Sequence, residues 1–136
     1  MTEETALLQS LGGEAGIRQW VDGFYDRVAA DPLLMALFPP NLSQSREKQW
    51  AYFVQFFGGT AYYTERYGKP FLRFKHRKIR IGLPERDAWM AHLLDSLRAQ
   101  YGDEALVSEV ERRVRPLADA MVNHQPGKQD TYYFNA

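Results

Sequence analysis

The sequence predicts an all-α domain, and three observations carry that expectation. Apolar residues recur at spacings of three and four along four long segments. Gly12-Gly13, Pro39-Pro40 and Gly58-Gly59 punctuate the chain between them. The one stretch that alternates like a strand, RKIRIG at 77–82, has no partner strand in so helical a chain.

The elements follow in order. From Glu14 to Ala30, the residues Ile17, Trp20, Val21, Phe24, Tyr25 and Val28 form one face of an amphipathic helix. Asp31-Pro32 opens a short helical turn ending at Phe38, because Pro suits a helix start and Pro39-Pro40 cannot continue one. A second long helix begins near Ser43, buries Trp50, Phe53, Val54 and Phe57, and stops at Gly58-Gly59.

The stretch 60–69 has no regular period and reads as a loop, leading to a short helix that contains His76. RKIRIG then reads as an extended connector. Pro84, with Glu85 and Asp87 in the first turn, starts a helix whose inner face is Trp89, Met90, Leu93, Leu94 and Leu97. Tyr101-Gly102 closes it. The last helix carries Leu106, Val107, Val110, Val114, Leu117 and Met121, with Pro116 expected to kink it. Beyond His124 the stretch QPGKQDTYYFNA has no helical period. One domain over 1–124 and a non-helical tail over 125–136 are expected.

At 136 residues, one core can bury roughly two thirds of the unfolded surface. The absence of cysteine excludes disulfides, thiolate metal sites and thiol-attached haem. MTEETALLQS is acidic without a long apolar run, and no later segment is apolar enough to span a bilayer, so a soluble cytoplasmic protein is expected. Seventeen basic residues balance seventeen acidic ones, which counts against a dedicated nucleic-acid binder.

Charge is nevertheless uneven. In FLRFKHRKIRIG, His76 stands among Arg73, Lys75, Arg77, Lys78 and Arg80, threaded with Phe, Leu and Ile. An imidazole in that setting is expected to offer a lone pair rather than a charge. It also reads as an exposed loop histidine, and the segment as a basic, aromatic track for single-stranded nucleic acid. Tyr25, Gln49 and Trp89 lie on or beside the inner stripes of three different helices, with Ser45 one turn before Gln49.

Each has an ordinary reading alone: a Tyr with a wet hydroxyl, a boundary Gln, a core Trp. Together with His76 they suit a haem. Iron takes one axial nitrogen, the porphyrin faces need apolar walls, and the propionates need cations such as Lys48 from the opposite helix. His92 and His124 have no partners at metal-ligand spacing, and the chain lacks a nucleophile elbow, a phosphate loop and a dinucleotide fingerprint.

Four stretches, GGEAGIRQWVDGFYDRV, LFP at Phe38, FFGGTAYYTERYGKP and LRFKHRKIRIGLPERDAWM, resemble the group II truncated haemoglobins in order and separation. The resemblance spans most of the chain and implies a truncated globin fold, a two-over-two α-helical sandwich around haem b. It implies His76 as the proximal iron ligand and Tyr25, Phe38, Ser45, Gln49 and Trp89 as the distal ligand pocket. It further implies that Lys48, Phe53, Tyr63, Leu72, Arg73, Lys75, Ile79 and Ile81 wall the haem or meet its propionates.

The implied function is high-affinity binding of O2, with CO and NO as further ligands. The alternative is nitric oxide dioxygenase or peroxidase-type chemistry with a separate reductase, in a monomer or homodimer. Phe38 stands where some members have tyrosine, and Gln49 where many have leucine. The tail lies outside the resemblance, and its Tyr132, Tyr133 and Phe134 would dock on the body or on another subunit.

Overall fold

The structure, a computed structural model, describes residues 3–131, with side chains from residue 6 onward. Its helices are α1 (Glu3–Ser10), α2 (Gly13–Ala29), α3 (Pro32–Met35), α4 (Ser43–Phe56), α5 (Tyr62–Tyr67), α6 (Leu72–Lys75), α7 (Leu83–Tyr101) and α8 (Glu104–Met121). The described residues contain no strand. Helix α2 packs on α4, α7 packs on α8, and α2 crosses α7 to join the two pairs into a two-over-two sandwich.

The apolar stripes meet where the pairs cross. Trp20, Phe24, Phe53, Phe57, Leu93 and Leu97 are wholly buried there, each contributing about 1.5–3 kcal/mol of transfer free energy. Trp20 stacks on Phe53 with centroids 4.9 Å apart and donates its indole N–H to the Leu93 carbonyl at 3.0 Å. Close approach needs glycine at Gly16 and Gly23, as it does at Gly59. A Cβ on Gly16 would stand 1.9 Å from the Leu11 carbonyl oxygen, and one on Gly23 2.5 Å from Ser96 Oγ.

Three details differ from or add to the expectation. The acidic start forms α1, whose Leu7 joins the core together with Leu11 just beyond it; eight residues are too few for a clear period. The predicted loop at 60–69 contains α5, held by a clamp in which Thr64 N–H donates to Gln55 Oε1 (3.0 Å) and Gln55 Nε2 donates to Thr64 Oγ1 (2.8 Å). His76 caps α6 instead of lying within it. Helix α8 continues through Pro116, as the apolar register over 106–121 implies.

RKIRIG begins as a turn at 76–78 and extends only from Arg80 onward. Asn123 supplies much of its backbone pairing: its own N–H, with that of His124, donates to the Ile81 carbonyl, and its side chain serves two further groups. Ile81 N–H donates to Asn123 Oδ1 at 2.7 Å, and Asn123 Nδ2 donates to the Ile79 carbonyl at 2.7 Å. The alternation therefore mimics a strand whose partner is an asparagine. The described part of the tail is non-helical and folds back, Thr131 N–H donating to the Asn123 carbonyl. Tyr132, Tyr133 and Phe134 lie outside the described residues.

Candidate functional site

A cavity of about 690 Å³ opens between the two helix pairs. Helix α4 supplies Ser45, Lys48, Gln49 and Tyr52, an i, i+3, i+4, i+7 stripe on one face. Tyr25 enters from α2, Phe38 from the turn after α3, Trp89 from α7 and Tyr63 from α5. Leu72, Lys75, His76, Ile79 and Ile81 close one wall, and Leu117 and Met121 of α8 complete it.

Two expected wall residues lie elsewhere. Phe53 is turned into the core against Trp20, one position round the helix from the cavity-facing Tyr52. Arg73 is exposed and does not line the cavity. The others converge. Tyr52 continues the stripe of Ser45, Lys48 and Gln49, so that spacing was the signal for it. Leu117 and Met121 gave none, because an apolar stripe looks the same whether it faces a core or a cavity.

The local geometry of His76 begins at Phe71, a left-handed residue (φ 39°) that opens α6. The ring Nδ1–H donates to the Leu72 carbonyl at 2.7 Å. A carbonyl can only accept, so the proton sits on Nδ1. In the neutral ring that leaves the lone pair on Nε2, which has no partner among the described residues.

Across the cavity three polar groups have no protein partner among the described residues. Trp20 and Trp50 both donate to backbone carbonyls, at 3.0 and 2.9 Å, whereas the Trp89 indole N–H has no partner among the described residues. The Tyr63 hydroxyl accepts from Lys75 at 3.1 Å and the Tyr101 hydroxyl donates to Leu11, but that of Tyr25 and the amide of Gln49 are also unpartnered there. Tyr25 meets Phe38 and Phe24 edge-on at 5.7 and 4.9 Å. Burial pushes its phenol pKa far up, opposed in part by the Arg46 cation, so the hydroxyl stays protonated as a donor.

Arg46 fixes this corner by bonding Asp26 at 2.9 Å and Asp22 at 3.3 Å across the α2–α4 contact. Lys48 and Lys75 supply positive charge on the cavity lining. Arg86 also reaches it, but Asp87 and Asp119 neutralise that guanidinium at 2.9 and 3.1 Å. A nitrogen lone pair, apolar aromatic walls, edge cations and a volume within the usual range of about 300–1,000 Å³ fit a haem.

Comparison with known proteins gives the same picture. The family model for bacterial-like globins matches residues 6–123. The group 2 truncated hemoglobin YjbI of Bacillus subtilis is 40% identical over 85 residues, covering 62% of this chain and 64% of that one. A hemoglobin from the thermophilic bacterium Chloroflexus aurantiacus is 43% identical, with a TM-score of 0.81 over 87% of this chain and 98% of that one. The truncated oxygen-avid haemoglobin from Bacillus subtilis is 33% identical, with a TM-score of 0.81 over 86% of this chain and 98% of that one.

Proposed function

The chain belongs to the bacterial-like globin family, and from that membership we propose that it holds haem b through His76 and binds a diatomic gas, O2 foremost, with high affinity. The oxygen-avid relative from Bacillus subtilis supports the choice of O2. Bound haem supplies ferrous iron with one position for the gas; the rest is the work of the chain.

Leu72 fixes the tautomer of His76, so Nε2 presents its lone pair without an ordering step. Lys48 and Lys75 would meet the propionates, and Phe38, Leu72, Ile79 and Leu117, which line the cavity, would keep water from the porphyrin faces. Tyr25, Gln49 and Trp89 would donate hydrogen bonds to a gas held in the cavity. The observation that carries this reading is their convergence: three donors from three helices, none with a protein partner among the described residues.

Absorption spectra of ferric, ferrous and CO-bound protein test it. A Soret band that survives dialysis is expected from the parent, and its loss, with recovery on adding imidazole, from His76→Gly. Equal pigment in parent and variant without imidazole refutes the assignment.

A further inference from the structure

We propose that the surface of α6 and its flanks, residues 69–78, docks an acidic one-electron carrier protein that reduces the iron beneath it. The proposal rests on the haem reading above. It begins with charge. Between residues 66 and 80 the chain has seven Arg and Lys residues and no Asp or Glu, although the whole chain is balanced at 17 and 17. Elsewhere seven arginines, at 18, 46, 86, 98, 112, 113 and 115, pair with carboxylates. Among the described residues none of the seven cations at 66–80 does.

Lys75 lines the cavity, but Lys69, Arg73, Arg77 and Lys78 do not. Phe71 and Phe74 stand among them, 65% and 62% exposed. Neither lines the cavity, so the cofactor does not cover these rings. Exposed Phe beside Arg, ringed by unpaired cations, has the composition of an interface centre meeting a negative partner.

The occupant follows from the same residues. A second copy would set this basic face against its own image across a two-fold axis, which like charges oppose. Insertion into a membrane is opposed by Arg77, whose guanidinium covers the Phe74 ring at 3.8 Å and donates to the Phe74 carbonyl at 2.9 Å. That ring cannot enter hydrocarbon without its charge. An acidic protein satisfies both halves of the pair.

Position supplies the reason for an electron carrier. The patch lies on the turn whose Leu72 carbonyl holds His76. The chain has no flavin or nicotinamide fingerprint, so reduction of ferric protein must come from outside. One electron leaves the partner's reduced iron–sulfur cluster and converts ferric to ferrous haem iron. No bond forms or breaks.

The test titrates haem-loaded protein with oxidised plant-type [2Fe–2S] ferredoxin by calorimetry, then follows ferric-protein reduction by the reduced ferredoxin. Saturable binding that weakens about tenfold or more between about 20 and 200 mM salt is expected. Phe74→Ser and Arg77→Glu/Lys78→Glu should each weaken binding and slow reduction by about tenfold or more, while Soret and CO spectra and reduction by dithionite stay at parental values.

No ferredoxin binding by pigmented protein overturns the proposal, as does binding that both variants retain. Variants that lose self-association, adsorption to phosphatidylglycerol vesicles or oligonucleotide binding but keep ferredoxin affinity also overturn it. A parent without a Soret band instead defeats the haem reading, which separates the two failures.

Discussion

His92 Nε2–H donates to Asp31 Oδ2 at 2.7 Å, tying the N-cap of α3 to α7 one turn beyond Trp89. The same carboxylate accepts from Leu33 N–H at 2.9 Å, so one side chain both starts α3 and anchors it. The chain leaving α3 carries Phe38 into the cavity, and the anchor therefore sets where that wall stands.

The hydrogen bond from His92, followed by the backbone bond from Leu33, holds the Asp31 carboxyl below its ordinary pKa despite opposing desolvation. A depressed folded-state pKa gives stability that is present above the unfolded value and lost as pH falls through the folded one. His92→Ala should lower Tm at neutral pH, and the difference from the parent should shrink below the carboxylate range. Thermal melts from neutral to acid pH check this; a gap undiminished below the carboxylate range contradicts it.

Replacing the donors should free the gas. A hydrogen bond to a charged acceptor contributes about 1.5–3 kcal/mol, so Tyr25→Phe and Trp89→Leu should each raise the O2 off-rate about tenfold or more. Stopped-flow displacement by CO measures it. A double variant within about twofold of the parent would remove these residues from the ligand network.

Gly23→Ala should cost about 1–3 kcal/mol, because its Cβ would stand 2.5 Å from Ser96 Oγ in the α2–α7 crossing. Ser96→Ala deletes the obstructing atom, together with its 2.9 Å bond to the Trp20 carbonyl. The double variant should therefore be more stable than the two single losses summed. Additive urea midpoints would place the strain elsewhere.

Asn123→Ala should cost about 1–3 kcal/mol by orphaning Ile81 N–H and the Ile79 carbonyl. Hydrogen exchange is the sharper readout, since the Ile81 amide should lose protection while α2 and α7 retain theirs. Unchanged exchange at Ile81 would mean that the connector holds its shape without the asparagine.

Comparing sequence with structure, the long helices were legible because their apolar stripes repeat every three or four residues. Gly58-Gly59 ends α4 and Asp31-Pro32 starts α3 as expected. Helices α1 and α5 were not legible. Each spans eight residues or fewer, and what holds α5 is the Gln55–Thr64 clamp, a contact no periodicity encodes. The site was read in the same uneven way: Tyr52 faces the cavity and Phe53 the core, although both are aromatic and adjacent.

By itself the sequence determined which residues could form each helix, which side of it is apolar, and that His76, Tyr25, Gln49 and Trp89 exist at compatible positions. Tertiary structure alone decided that they share one cavity, that Leu72 sets the His76 tautomer, and that Asn123 completes the backbone of 79–81. Stripe and cap are properties of a few neighbouring residues. Helix rotation and the pairing of polar groups depend on segments distant along the chain, which come together only when the two helix pairs pack.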